Sequence, residues 1–289
     1  MTEVWARKPV SRPRLGTAIR VQRGLIVLGK VLFAAVLVGF VMAPMLGVLS
    51  TSVADATFWD FPPSSLTAKW YAEYFTTPEL LNSTYVSIAA ALFVGIVGPA
   101  LAVLTALALA RSRVRRTARE GLNVATLIPV LVPTIALGLA IYLLYITGHV
   151  PINLLTLGAA QLILVMPLVT GLLTTGLEGI RPNVERAAAN LGAGTAGILF
   201  RVTLPLLRPA LVAAGIIAFV RSFDDSAIAL FINSPDTTTL PIRMLLDMQE
   251  NTGPLIAVCG SVLLIIAVAL AVILDRVIGL SRAFGLHER

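Results

Sequence analysis

Six stretches of about 20 or more mostly apolar residues run along this chain, and they constrain its fold more than any other feature. An α-helix rises about 1.5 Å per residue, so each stretch is long enough to cross about 30 Å of hydrocarbon. With 57% hydrophobic and 13% charged residues, the chain is also too apolar for a soluble domain. The sequence therefore predicts an all-α integral membrane protein with six transmembrane helices. We place them at residues 25–49, 83–110, 122–147, 152–177, 209–232 and 255–274.

The basic residues predict how the helices are oriented. They cluster before the first apolar stretch, after the second, after the fourth and in the C-terminal tail, whereas the opposite loops carry mainly acids. Because cytoplasmic loops are enriched in Lys and Arg, both termini are predicted to be cytoplasmic. We expect a multi-pass protein of the inner or plasma membrane, with an N-terminal segment at 1–24, a transmembrane domain at 25–278 and a tail at 279–289. The net charge of +7 then reflects topology, and no nucleic-acid partner is expected.

Two glycine patterns resemble nucleotide-binding motifs but lack the required context. The pattern G-x-x-x-x-G-K at 24–30 is followed by Val31 instead of Ser or Thr, and G-x-G-x-x-G at 192–197 follows no strand. The two histidines and the single cysteine have no companions at metal-ligand spacing. We therefore expect no catalytic residue, no metal site and no cofactor bound by this chain.

The loop at 178–208 is long for this chain and indicates a function. Its residues 185–191 favour a helix that the following glycine can end in a left-handed turn. A second short helix at 196–203 is expected to stop before Pro205, because a residue that precedes proline disfavours the α conformation. Two short helices rich in small residues form a surface that another protein's backbone can approach closely. A helical linker that lies on the membrane surface is the alternative interpretation.

The same loop resembles the EAA signature of permease subunits of ABC importers, which is E-A-A-x-x-x-G, nine residues and then I-x-L-P. Here Gly192 is followed by nine residues and then by V-T-L-P, whereas Arg186 stands at the motif's glutamate and Glu185 comes one residue earlier. The resemblance implies the type I ABC importer permease fold, in which this loop is a cytoplasmic coupling helix. The residues that it implies for ATPase coupling are Glu185, Arg186, Ala187, Ala188, Gly192, Ala193, Leu204 and Pro205.

The resemblance also implies the partners of the chain. ABC ATPase subunits would dock on the 178–208 loop and would carry the ATP and Mg²⁺. A second, homologous but different permease would complete the membrane part, and an extracytoplasmic solute-binding protein would deliver the solute. The chain would then be a lipid-embedded transporter subunit and not an enzyme. A proton-coupled secondary transporter is the rival from another class, but it predicts inverted repeats that the sequence does not show.

Ionisable residues near the middle of the fifth apolar stretch mark a second candidate site. Charged side chains are costly in hydrocarbon, so these residues should face the bundle interior or a wet cavity. On a continuous helix Arg221 could pair with Asp224 or Asp225, which leaves one carboxylate to favour a cation in transit. Bracing between helices is the alternative role. The candidate substrate-pathway residues are Arg221, Ser222, Asp224, Asp225 and Ser226.

The segment S-F-D-D at 222–225, together with Leu240-Pro241, resembles the spermidine/putrescine branch of these permeases. That branch shares its pattern with importers of opines, aminophosphonates and other small amines. The resemblance implies a small amine-containing, polyamine-like solute, with an aminophosphonate or an opine as the alternative. Arg221 departs from the neutral residue that polyamine permeases would be expected to have.

Overall fold

The structure is a computed structural model that describes residues 17–55, 63–111, 116–250 and 253–278. The chain divides into two compact units, residues 1–48 and residues 49–289. The predicted tail at 279–289 and most of the predicted N-terminal segment at 1–24 lie outside the described residues.

Helices form nearly all of the regular structure of the described residues, interrupted by short turns. Their bounds are α1 (Thr17–Ser52), α2 (Lys69–Thr76), α3 (Pro78–Arg111), α4 (Arg116–Leu131), α5 (Thr134–Thr147), α6 (Leu154–Gly179), α7 (Pro182–Asn190), α8 (Thr195–Ile198), a π-helical turn (Leu199–Thr203), α9 (Leu204–Phe223), α10 (Ala227–Phe231), α11 (Leu240–Glu250) and α12 (Pro254–Ile278).

The predicted spans correspond to helices of the structure. Within the described ranges, four helical stretches are long and apolar enough to cross a membrane, and they match the first, second, fourth and fifth predicted spans. α12 matches the sixth, and α4 with α5 matches the third. The four stretches are Gly24–Ser52, Pro78–Arg111, Leu154–Gly179 and Thr195–Phe223.

The third span is bent. Its two parts, Glu120–Leu131 and Thr134–Thr147, meet at an angle of 104°. Pro133 precedes α5 directly with an extended ψ of 128°, so the helix cannot continue through it. The sequence itself predicts a bend here, since Pro129 and Pro133 lie one turn apart on one helix face, and the structure confirms it.

The fifth span is not the single helix that the sequence predicts at 209–232. α9 begins five residues earlier, at Leu204, and ends at Phe223, and α10 begins only at Ala227. The carboxylate of Asp225 accepts hydrogen bonds from the backbone N–H groups of Ile228 (3.4 Å) and Ala229 (3.2 Å). Because this carboxylate satisfies N–H groups in the first turn of α10, it stabilises a new helix start inside the span.

Apart from Lys30, residues 24–49 of α1 are apolar on all sides of the helix. Every large hydrophobic side chain between Leu25 and Val41 is exposed. A helix without a polar face is typical of a segment that is surrounded by hydrocarbon or by other apolar helices. This exposure agrees with the prediction of a first transmembrane span.

α6 starts at a well-formed cap. The side chain of Asn153 accepts hydrogen bonds from the N–H groups of Leu155 (2.9 Å) and Thr156 (3.1 Å), and the Thr156 hydroxyl accepts one from the N–H of Asn153 (2.8 Å). This reciprocal pair is a capping box, so the sequence N-L-L-T itself sets where α6 begins.

α3, α6 and α9 form the centre of the second unit, and glycines let them approach closely. A Cβ atom added to Gly95 of α3 would lie 3.1 Å from the carbonyl oxygen of Gly215 of α9. A Cβ atom on Gly215 would lie 3.0 Å from the carbonyl oxygen of Gly95. Backbone contact through small residues is a common way for membrane helices to pack, because no hydrophobic effect drives them together in lipid.

Replacing Gly95 by Leu should therefore destabilise the bundle. The added side chain meets backbone atoms of α9 that cannot move aside, and overpacking of this kind costs about 1–3 kcal/mol. The matched control is Gly171→Leu in α6, where an added Cβ would meet no atom within 4 Å. Thermal unfolding of the two detergent-solubilised variants should show a lower midpoint for Gly95→Leu alone, and equal midpoints would contradict the packing described here.

Candidate functional site

The first candidate site is the coupling loop, which we define as residues 178–208. α7 begins at Pro182, three residues before the predicted start, and Arg181 is its N-cap. Gly192 has φ +87°, so the left-handed turn expected after this helix is confirmed. The turn leads through Gly194 into α8.

The prediction that a second short helix stops before Pro205 is wrong. α8, the π-helical turn and α9 follow one another without a break, and Leu204 keeps α-helical angles (φ −63°, ψ −43°) although it precedes proline. The N–H of Leu204 donates to the carbonyl of Leu199, five residues back. A π-helical turn is wider than an α-helical turn, so it accommodates the proline ring without ending the helix.

Glu185 faces the protein, and it is fixed from two sides. Its Oε2 atom lies 3.1 Å from Nε of Arg111 at the end of α3, in ion-pairing range, and its Oε1 accepts a 3.0 Å hydrogen bond from the Thr203 hydroxyl. Arg111 also donates through Nη2 to the carbonyls of Leu177 (2.9 Å) and Ile180 (2.8 Å). Sequence reasoning missed Arg111 and Thr203 as partners of this glutamate, because Arg111 was interpreted only as a topology charge.

The other predicted coupling residues divide between an exposed and a partly covered set. Ala188, Ala193 and Leu204 are half-buried, whereas the exposed members of the prediction are Arg186, Ala187, Gly192 and Pro205. Next to Gly192, the side chain of Leu191 is 90% exposed. The loop therefore presents an apolar side chain surrounded by small residues, and Leu191 was not among the predicted residues.

The second candidate site is the break in the fifth span. Asp225 is only 7% exposed, and it accepts a 3.2 Å hydrogen bond from Nε2 of Gln161 in α6. The hydroxyl of Ser222 donates to Oε1 of the same Gln161 at 2.6 Å. Gln161 is fully buried, and sequence reasoning missed it because an amide in an apolar stretch carries no pattern. The three side chains form a closed polar cluster that joins α6 to the end of α9.

Arg221, Asp224 and Ser226 are exposed, in contrast to Ser222 and Asp225. The continuous helix on which Arg221 could pair with Asp224 or Asp225 does not form, because α9 ends at Phe223. Among the described residues, Arg221 lies within ion-pairing distance of neither aspartate. Ser222 and Asp225 are thus buried against α6, whereas Arg221 and Asp224 are exposed.

The described residues contain no group of three or more His, Cys, Asp or Glu side chains placed to hold a metal ion. The two candidate sites are an exposed apolar turn on the coupling loop and a polar break within a span.

Comparison with known proteins gives the following relatives. A profile of the family described as "Binding-protein-dependent transport system inner membrane component" matches residues 98–281. A spermidine/putrescine transport system permease protein of Haemophilus influenzae is 25% identical, with 71% of this chain and 79% of the relative covered. A molybdenum transport system permease protein of Mycobacterium bovis is 33% identical over 68% of this chain and 79% of the relative.

The fold is also shared with a solved structure. A chain of the bacterial alginate ABC transporter, solved in complex with an alginate pentasaccharide-bound periplasmic protein, superposes with a TM-score of 0.65. The match covers 93% of this chain and 98% of that chain at 12% sequence identity. The predicted fold class, the permease fold of ABC importers, is confirmed.

The two neighbouring aspartates should differ in their effect on stability. Asp225→Ala leaves Gln161 and two backbone N–H groups without their acceptor in a buried place, which costs about 1–3 kcal/mol. Asp224→Ala is the matched control, since an exposed side chain changes stability by less than about 0.5 kcal/mol. Thermal unfolding in detergent measures both, and a larger loss for Asp224→Ala would contradict the assignment of the buried role.

Proposed function

Because the chain belongs to the family of binding-protein-dependent transport system inner membrane components, we propose that ATPase subunits dock on its coupling loop and drive it. The chain itself is a permease subunit of an importer and not an enzyme. In this proposal ATP and Mg²⁺ are bound by the partner subunits. Family membership favours ATP-driven import over the proton-coupled secondary transport considered above.

The observation that carries this proposal is the exposure of Leu191. Because Leu191 is 90% exposed, its burial by a partner would stabilise the complex, by about 1.5–3 kcal/mol for complete burial. Ala187 and Gly192 beside it have little or no side chain, so a partner's backbone can approach the turn closely. An apolar anchor in small-residue surroundings is typical of the centre of a protein interface.

The orientation of the chain follows from the same loop. The coupling loop carries the arginines 181, 186, 201 and 208, and loops rich in arginine lie on the cytoplasmic side. The loop is therefore placed in the cytoplasm, where ATPase subunits have ATP. By the alternation of the spans, both termini are placed in the cytoplasm as well.

The exposed charges at the break of the fifth span support a pathway beside a second permease. Arg221 and Asp224 would be costly if they faced lipid, so a second subunit or water must cover them. A homologous but different permease that pairs with this chain would place the translocation pathway between the two. The alginate importer relative was solved with a periplasmic protein bound, which supports an extracytoplasmic binding protein as the third partner.

We assign a small amine as the solute, of the polyamine type. The support is the Haemophilus influenzae relative, which is named for spermidine and putrescine, and the exposed carboxylate of Asp224. A second candidate, an oxyanion such as molybdate, is favoured by the exposed Arg221 and by the Mycobacterium bovis relative, which is 33% identical. An aminophosphonate or an opine would use both charges.

The solute is tested on the binding protein that co-purifies with the assembled importer. Calorimetric titration with putrescine, spermidine, an aminophosphonate, an opine and molybdate should give the tightest binding for a polyamine. In proteoliposomes, Asp224→Asn should then lower the uptake of that polyamine, whereas Glu79→Gln, an exposed carboxylate at the start of α3, should not. Binding of molybdate alone would overturn the amine assignment and leave the importer itself intact.

Docking is tested by Leu191→Glu. A charge in the centre of the interface should weaken the association with the ATPase subunits by about 30-fold or more, which corresponds to about 2 kcal/mol. The measurement is the amount of ATPase subunit that co-purifies with the permease, followed by titration of the separated subunits.

The control for docking is Leu66→Glu. Leu66 is also strongly exposed, at 73%, but it lies outside the coupling loop, in the segment before α2. This variant should retain its ATPase subunits. If both variants retain them, the coupling loop does not dock through Leu191.

A further inference from the structure

Two spans contact the carboxylate of Glu185, and a third is joined to it through Arg111. Arg111, the last residue of α3, contacts one carboxylate oxygen and holds two carbonyls at the end of α6. Thr203, the last residue of the turn that leads into α9, donates to the other oxygen. We call Arg111, Glu185 and Thr203 the strut.

The strut is partly shielded from solvent, which makes its bonds stronger than those of a surface pair. The side chains of Arg111 and Glu185 are 22% and 17% exposed, and Thr203 is buried. The attraction between Arg111 and Glu185 is an ion-pair contact without a hydrogen bond at Nε, and water screens it less here than at the surface. The hydrogen bond from Thr203 to the charged carboxylate is stronger than a bond between neutral groups.

Packing does little to hold α7 on the spans. α7 has no buried residue, and its main neighbours are α8 and the π-helical turn. A cavity of about 460 Å³ lies beside the strut, with apolar walls from Leu107, Ile198 and Leu199. Because α7 has few packing contacts with the spans, its motion is transmitted to them chiefly through the bonds of the strut.

We propose that Arg111 is a positioning residue, through which motion of the docked coupling loop reaches α3 and α6. This inference rests on the proposed docking of ATPase subunits. Leu191 and Arg186 are exposed, whereas Glu185 turns inward, so a partner that moves α7 moves the carboxylate held by the strut. The glutamate that stands one residue before the family's motif position then serves the chain itself, and Thr203 extends the same link to α9.

The test follows a conformational signal that does not depend on the solute. In the assembled importer in nanodiscs, Leu230→Cys introduces a thiol on the exposed side of α10, at the far end of the fifth span from Thr203. Its rate of alkylation by a water-soluble maleimide is measured without nucleotide and after trapping with ATP and vanadate. With the strut intact, trapping should change the rate by about fivefold or more, the lower range of ordinary coupling free energies.

The strut variants are Glu185→Gln, Arg111→Gln and the conservative Arg111→Lys. In the first two, ATPase subunits should stay bound and hydrolyse ATP, but trapping should no longer change the alkylation rate. Arg111→Lys keeps a cationic donor, so it should restore part of the response that Arg111→Gln loses. Glu79→Gln, an exposed carboxylate at the start of α3 and outside the coupling loop, is the control and should keep the full response.

Three outcomes overturn the inference in different ways. If Glu185→Gln responds to trapping as strongly as the parent, the strut does not transmit the motion, although the proposed function stands. If the parent itself shows no response, or no ATPase subunit remains bound to it, the proposed function fails and the inference fails with it. Loss of assembly in both Glu185→Gln and Arg111→Gln would make the strut a folding element and overturn its role in transmission.

Discussion

Hydrocarbon offers no hydrogen bonds, so every polar atom within this bundle depends on another protein group or on water. Gln161, Ser222 and Asp225 satisfy one another where α6 meets the end of α9. Because Asp225 also accepts from backbone N–H groups at the start of α10, the same carboxylate allows the fifth span to break and resume. This small cluster therefore sets where α9 ends and where α10 begins.

Adjacent residues in this protein face opposite ways, and their roles divide accordingly. Asp225 is enclosed by protein, whereas Asp224 leaves the span exposed; Glu185 turns toward Arg111, whereas Arg186 turns outward. In each pair one charge has partners within the protein, whereas the other is exposed and has no ion-pair partner among the described residues. Bracing between helices is therefore the role of Asp225, and a place on the translocation pathway is what we propose for the exposed Asp224.

Much of the fold can be predicted from the sequence, because apolar length and the distribution of arginine are properties of whole segments. The bend at Pro133 can be predicted as well, since proline acts on the backbone next to it. The partners of Glu185 and Asp225 are not, because Arg111 and Gln161 lie more than 60 residues away and an isolated polar residue does not indicate its contact. The expectation at Pro205 is wrong for the opposite reason, since a local rule was applied where a π-helical turn changes the geometry.

The π-helical turn also sets how the coupling loop is rotated about the axis of α9. A π-helical turn contains one more residue than an α-helical turn, and one residue corresponds to about 100° around the helix axis. Deleting a single residue between Leu199 and Thr203 would leave a continuous helix but would carry α7 to a different side of it. The nine residues between Gly192 and Val202 therefore set the direction in which the loop points as well as its length. In relatives that share this spacing, the loop would point in the same direction about the helix axis, whatever solute they carry.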